Sequence, residues 1–335
     1  MTSDRKMGIA ILGCGLIGQK RAKALNGAQL VACADLVFPK AEALAKEFPG
    51  AVATKDWRSV LPHPEVDIVI VSATNDMLAE MTRAAMEAGK HVLVEKPGAR
   101  NREELEVVVE VWRKSDVHLA VGFNHRFHPA FLKAREIFDS RELGELMFVR
   151  GRYGHGGRLG YEKEWRANPR RSGGGELIDQ GVHLIDLARW FLGDFTEVSG
   201  LARTFFWNMP VDDNSFLILN TAQRKTAFLH VSCTEWKNLF SFEIYGRKGK
   251  LHIEGLGGSY GIERLSYYRM LPQMGPPETM IWEYPMGDTS WQLEFAEFLQ
   301  GIGSGNSRVA GITDAYSALR IVEKIYTESG YDYNS

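Results

Sequence analysis

Over the first 122 positions, short and almost continuously apolar runs alternate with longer stretches of helical period. The runs fall at 7–12, 30–34, 66–71, 91–94 and 117–122, and the helical stretches at 19–25, 41–48, 77–88 and 101–114. Strands that are apolar on both faces and separated by helices predict a doubly wound parallel sheet. The pattern changes at 123–129, FNHRFHP. A helical stretch at 130–138 precedes runs rich in β-branched and aromatic residues at 146–153, 198–206, 215–219, 226–233, 240–245 and 250–253, with helices at 291–302 and 312–327. This predicts an α+β domain with a large open, mostly antiparallel sheet. Residues 1–124 and 125–335 are the expected domains, with glycine- and proline-rich loops at 255–260 and 271–278.

One stretch stands apart. At 173–190, GGGELIDQGVHLIDLARW, three glycines lead straight into helical period, so a loop able to pass close to a ligand starts a helix. Asp179, His183 and Asp186 fall at i, i+4 and i+7 on one face, while the remaining circumference is apolar, so a buried polar stripe needs partners from the protein or from a ligand.

Composition narrows the picture only slightly. The 335 residues are 44% hydrophobic and 24% charged with a formal net charge of −2, a globular composition with room for two cores. The scattered Lys and Arg recommend neither nucleic acid nor an anionic membrane as partner. No apolar stretch is long enough to span a bilayer, and the polar start lacks the core of a secretory signal. Cys14, Cys33 and Cys233 lie far apart, which suits a reducing cytoplasm.

Chemistry enters at residues 13–18, GCGLIG, placed between the first strand and the first helix. Gly13, Gly15 and Gly18, with Leu16 and Ile17, form a G-x-G-x-x-G turn whose backbone can approach a pyrophosphate. Asp35, about twenty residues on at the end of the second strand, suits the ribose hydroxyls. With Leu36 next and Lys40 the one nearby cation, NAD is favoured over NADP. Loops after strand C-termini bind ligands in such sheets, which adds Ser72, Ala73, Thr74, Asn75, Glu95 and Lys96, and Asn124 at the domain crossing.

Taken together, GCGLIG, EKP at 95–97, GFNHRF at 122–127 and the 173–190 motif resemble the Gfo/Idh/MocA oxidoreductase family over essentially the whole chain. The resemblance implies a Rossmann domain followed by an open-sheet domain, and NAD- or NADP-dependent chemistry at a hydroxyl carbon of a sugar, cyclitol, sugar acid or nucleotide sugar. By position it makes Lys96 the catalytic lysine, Asp179 and His183 the D-x-x-x-H pair, and Trp165-Arg166 the pair near the nicotinamide. The sequence departs from the family where T-P-N and a nearby histidine are common: it has Ala73-Thr74-Asn75, with Leu78 near the histidine position.

Oxidising an alcohol requires a group that takes the hydroxyl proton as hydride leaves. Partial burial and a positive nicotinamide would both disfavour a charged lysine, and a histidine has an ordinary pKa suited to the task. Lys96 and His183 are therefore the expected acid/base pair and Asp179 the orienting group, all three also touching substrate across the domain cleft, with Asp186 structural and paired to an arginine. Tyr153, His155 and Trp236 are candidate sugar contacts, and Arg126 or Arg170-Arg171 candidates for an anionic group. No metal is expected, since His183 lacks a second histidine or cysteine at ligand spacing. A homo-dimer or homo-tetramer through the open sheet is expected. Two other classes fit the same residues: a glycoside hydrolase that retains NAD and oxidises only transiently, and a catalytically silent NAD-binding regulator.

Overall fold

The computed structural model describes residues 6–273, 275–305 and 307–331. The polar start at 1–5 lies outside the described residues, as does Met274 in the expected loop at 271–278. The chain divides into two compact units, 1–123 with 291–316 and 124–290 with 317–335.

The first unit is a six-stranded sheet in the order β3-β2-β1-β4-β5-β6. Its strands are β1 (Gly8–Leu12), β2 (Gln29–Ala34), β3 (Val52–Thr54), β4 (Ile68–Val71), β5 (His91–Glu95) and β6 (Leu119–Gly122), all paired in parallel. β1, β4 and β6 are buried along their whole length, as continuous apolar runs require in a sheet covered on both sides. The crossovers are α1 (Leu16–Lys23), α2 (Phe38–Lys46), α3 (Asn75–Glu87) and α4 (Arg102–Trp112). Phe295 and Phe298 sit in the same core as Ile9, Leu30, Ile68 and Leu93, each worth about 2–3 kcal/mol of apolar burial. This corrects the expected boundary, because residues 291–316 belong with the first unit rather than with 125–335. The physical reason is Arg21. On α1, Arg21 is completely buried, donating to Glu95 at 2.6 Å and to Glu294 at 2.5 Å and lying over Trp291.

The second unit is built on an eight-stranded sheet. Five strands lie near their expected positions: β7 (Leu146–Gly154), β9 (Asn214–Thr221), β10 (Thr226–Ser232), β11 (Leu239–Gly246) and β12 (Gly249–Glu254). β8 (Phe195–Arg203) is shifted a few residues toward the N-terminus of its expected run, and β13 (Glu263–Arg269) and β14 (Glu278–Tyr284) were not legible. The order is β14-β13-β12-β11-β7-β10-β9-β8, antiparallel except where β10 runs parallel to β7. One face packs against α5 (Pro129–Asp139) and α7 (Val182–Leu192). The opposite face leaves Phe148, Leu201, Ile218, Phe228 and Ile281 exposed. The remaining helices are α6 (Pro169–Ser172), α8 (Ser290–Ser304) and α9 (Ile312–Ser329). Cys14, Cys33 and Cys233 are buried and unbridged, and among the described residues no helix is long and apolar enough to cross a membrane.

Candidate active site

In the first unit the glycine turn has three distinct jobs. Gly13 has φ of +95° and packs so tightly that a Cβ there would lie 2.5 Å from the Ser72 carbonyl oxygen. A Cβ on Gly18 would lie 2.0 Å from the Gly13 carbonyl oxygen, so glycine there lets α1 approach the strand. Gly15 differs: a Cβ there meets nothing within 4 Å. The protein does not need glycine at that position for its own packing, and the vacant side is the one a pyrophosphate would approach. α1 starts there with no side-chain cap, leaving its first amides for an anion.

Asp35 is fixed beside this turn. Its carboxylate accepts from the Cys14 and Val37 amides, each at 2.8 Å, and so is oriented before any ligand arrives. Leu16 and Leu36 stand 70% and 77% exposed, apolar surface suited to an adenosine. Ile17 follows in the first turn of α1. Ser72 donates to the Gly13 carbonyl at 2.7 Å and thereby ties the loop after β4 to the glycine turn; Ala73 follows it, Thr74 stands at the N-cap position of α3 without a side-chain bond to its amides, and Asn75 is buried in its first turn. Lys96 follows β5 and its peptide to Pro97 is cis. The Glu95 side chain, a cofactor candidate in the sequence, instead turns inward to Arg21.

In the second unit the 173–190 stretch is not one continuous α-helix. It opens as a wide turn, Leu177–Gly181, with the looser i→i+5 geometry, before α7 begins at Val182. The glycines ahead of it serve the protein rather than a ligand. A Cβ on Gly174 would lie 2.3 Å from the Tyr326 hydroxyl, and one on Gly175 2.0 Å from the Asp212 carbonyl oxygen. Asp212, which the sequence reading missed, is buried and accepts from the amides of Gly175 (2.9 Å) and Leu177 (2.8 Å) and from the hydroxyls of Tyr326 (2.7 Å) and Ser215 (3.0 Å). It thus caps this helix start from the loop ahead of β9. Burial outweighs these bonds and pushes its pKa up to about 6.

The polar stripe remains buried, but each member has its own partner. Asp179 accepts from Arg166 Nε at 2.8 Å, and that charge raises the guanidinium's pKa. Asp186 takes a two-pronged bond from Arg126, 2.8 and 2.5 Å. The expected arginine partner of Asp186 is therefore Arg126. Having both prongs so engaged, Arg126 does not stand ready for an anionic substrate group. His183 stacks on His125, with ring centres 3.7 Å apart and planes 20° from parallel.

Around this stripe lies a wall of hydroxyl, imidazole and carboxyl groups. Tyr153 rings meet His183 at 6.4 Å and Tyr260 at 5.2 Å. Burial first, then Tyr260, Asp179 and Glu176, hold the Tyr153 phenol well above its ordinary pKa, so it acts as a neutral donor. His155 Nε2 lies 3.5 Å from the buried Glu176, which also accepts from Tyr161 at 3.4 Å. Burial pulls the His155 pKa down, and the Glu176 contact more than reverses it. The Gly157 amide donates to His155 Nδ1 at 3.0 Å, so the ring proton sits on Nε2, toward Glu176. Trp165 lies under the Arg166 guanidinium. Asn124 donates to Ser290 at 2.7 Å inside the second unit. Trp236 stands outside this wall, 64% exposed and packed edge-on against Phe206. His125, Glu176 and Tyr260 joined the site only through long-range packing. Among the described residues no group of three or more His, Cys, Asp or Glu side chains is placed to hold a metal ion.

Two family profiles match the chain. One describes an oxidoreductase family with an NAD-binding Rossmann fold, over residues 7–123, and the other a GFO/IDH/MocA C-terminal domain, over 131–252. Inositol 2-dehydrogenase 2 of Saccharopolyspora erythraea is 32% identical over 95% of this chain and 91% of its own length. Levoglucosan dehydrogenase of Pseudarthrobacter phenanthrenivorans is 26% identical over 65% of this chain, which spans 60% of that relative's length. Among solved structures, a levoglucosan dehydrogenase in complex with NADH aligns with a TM-score of 0.88 at 22% identity, covering 97% of both chains.

Proposed function

The chain belongs to the Gfo/Idh/MocA oxidoreductase family, and from that premise we propose that it is an NAD-dependent dehydrogenase, or reductase in reverse, acting on a secondary hydroxyl of a neutral sugar or cyclitol. NAD would supply a hydride acceptor at nicotinamide C4. Gly13, Gly15, Gly18, Leu16, Ile17 and Asp35 would hold its adenosine and pyrophosphate half, with the loops at Ser72–Asn75 and Lys96 along its length; the open side of Gly15 and the pre-set Asp35 carboxylate fit that group. Lys96 and His183 share the hydroxyl proton, and Asp179, held by Arg166, orients the substrate oxygen.

The observation that carries the substrate class is the pairing of the two arginines beside the stripe, Arg126 buried and Arg166 partly so. Arg166 is matched by Asp179 and Arg126 by Asp186, while Tyr153 lines the wall as a neutral phenol and His155 is matched by Glu176. Such a lining suits a polyol and disfavours a phosphate or carboxylate. The exposed apolar side chains on the open sheet face support assembly with further copies of the chain, and the buried, unbridged cysteines support a reducing, cytoplasmic setting.

The test follows nicotinamide absorbance with NAD and panels of neutral sugars, inositols, sugar acids and nucleotide sugars. Turnover confined to neutral polyols is expected; silence across all panels, or product release from a glycoside with no net reduced cofactor, overturns the reading. Lys96→Met and His183→Ala should each lower kcat at least about 100-fold. Near-wild-type turnover in both refutes the assigned roles.

A further inference from the structure

Beyond the wall, at the same end of the sheet, the second unit displays aromatic rings to solvent on loops pinned by hydrogen bonds. β7, β8 and β10 point the same way, since Gly154 pairs with Ser232, and Ser232 and Arg203 both pair with Asn214. The loops that leave them therefore emerge together, carrying residues 155–157, 205–207 and 235–238. Phe206 is 57% exposed and Trp236 64%, packed edge-on with ring centres 4.6 Å apart. Rings left in water are unfavourable, yet here their backbone is fixed in place. The buried Asp213 carboxylate accepts from three successive amides, those of Phe205 (2.9 Å), Phe206 (2.7 Å) and Trp207 (3.0 Å), and the Trp207 indole donates to the Cys233 carbonyl at 2.9 Å. Trp236 has φ of +57°, a left-handed conformation that bulky residues rarely adopt. A Cβ on Gly156 would lie 3.0 Å from the Trp236 Cα, and one on Gly157 2.3 Å from the Trp207 indole, so the loop after β7 lies directly against both.

We propose that Phe206 and Trp236 form a shelf for a second sugar ring, so that the substrate is a glycoside whose reacting ring lies at the wall and whose neighbouring ring lies on the shelf. This rests on the reading of the wall as a polyol site. Ring contacts lead from one to the other: His155 meets Tyr161 at 5.5 Å, Tyr161 meets Trp207 at 5.6 Å, and Trp207 meets Phe206 at 5.1 Å. A pyranose presents C–H bonds to an aromatic ring while its hydroxyls stay at the rim, and polar groups beside the ring hold them. Lys237 and Asn238, the next two residues, are exposed, with the Asn238 amide tethered to the Ser259 carbonyl at 2.8 Å. Charges on the same loops are matched, Glu235 with Arg152 at 3.5 Å and Arg158 with Glu164 at 2.7 Å, which suits an uncharged ring. A second copy of the chain would find broader apolar surface elsewhere, because the exposed Phe148 and Phe228 lie near the opposite ends of β7 and β10.

The experiment is isothermal titration calorimetry on the whole protein with saturating NADH, under which no hydroxyl is oxidised and turnover is not required. The probes are the methyl glycosides and the disaccharides of glucose, galactose and mannose. At least one disaccharide should bind at least about tenfold more tightly than the methyl glycoside of the same sugar. Trp236→Ala and Phe206→Ala should each remove at least about fivefold of that preference, and Trp236→Phe should keep more of it than Trp236→Ala. Both side chains are exposed, so these variants keep the fold. Equal affinities within every pair of probes, no binding of any disaccharide, or a preference untouched by either alanine variant overturns the proposal. Variants that lower the sedimentation coefficient while the preference stays intact overturn it too, and identify the shelf as a contact between copies. A preference found in a protein that turns over no substrate would remove the dehydrogenase reading and leave the shelf standing, whereas turnover of neutral polyols without any preference would do the reverse.

Discussion

Replacing Asp212 by alanine tests whether the helix start that presents Asp179 and His183 is held by one distant carboxylate. The change leaves the Leu177 amide and the Tyr326 and Ser215 hydroxyls without this acceptor in a buried setting, and the Gly175 amide with only the Tyr326 hydroxyl. Bonds to a charged group contribute about 1.5–3 kcal/mol each, but they are not additive and the variant escapes the cost of a buried charge, so a net loss of about 2 kcal/mol is expected at pH 7.5. The pH dependence sharpens this. The folded pKa of about 6 exceeds the ordinary 3.8, so between those values the folded protein binds the proton more tightly than the unfolded chain. Stability from this group is complete below pH 3.8 and is lost as pH rises through 6; the whole shift corresponds to about 3 kcal/mol, of which about 2 falls between pH 4.5 and 7.5. Asp212→Ala should therefore cost about 4 kcal/mol at pH 4.5 against about 2 at pH 7.5. Urea unfolding at both pH values and one protein concentration measures the difference, because every other titrating group is common to both proteins. Asp212→Asn should lose the same pH slope. A cost that is equal at the two pH values, or below 1 kcal/mol at both, refutes the reasoning.

Three further outcomes separate ligand-facing from protein-facing residues. Gly15→Val should leave the melting temperature within about two degrees while weakening NADH binding at least about tenfold by fluorescence titration, whereas Gly18→Ala should destabilise the apo protein by about 2 kcal/mol. Asp35→Ser should move the ratio of kcat/KM for NAD to that for NADP at least about tenfold toward NADP, since it removes the carboxylate that a 2′-phosphate would meet. Arg126→Ala should cost about 3–5 kcal/mol in unfolding experiments by stranding Asp186, with no selective rise in KM for acidic sugars; such a selective rise on a fully stable protein would return Arg126 to the substrate.

The parallel sheet and its glycine turn were legible because both are local: apolar runs, helical periods and a six-residue motif lie next to one another in the chain. β13 and β14 were not, since Ile281 and Met280 stand exposed on an edge strand while Glu263 is buried, and alternation fails when a strand lies at an edge or uses a charge to cap α5. The triple glycine was read as room for a ligand; the atoms that need the room are Tyr326 and Asp212, distant in sequence and unrecognisable without the fold. The Asp179–His183 spacing was read as one helical face, but the wide turn at Leu177–Gly181 alters the winding between them. Burial of the stripe followed from its apolar surroundings, while the identity of each partner did not.

The return of residues 291–316 to the first unit also sets a timetable for synthesis. As the chain leaves the ribosome, its N-terminal 123 residues emerge with Arg21 paired to Glu95 but lacking Glu294, and with the places of Phe295 and Phe298 unfilled. The usual order, in which an N-terminal domain finishes before the next begins, is closed to this protein. Residues 124–290 must be translated while the nucleotide-binding half waits with an incompletely neutralised charge in its interior, and the second unit in turn lacks residues 317–335, Tyr326 among them, until after α8. Chaperones that act during translation should therefore engage nascent chains ending between about residue 124 and residue 290, and release them once α8 has emerged.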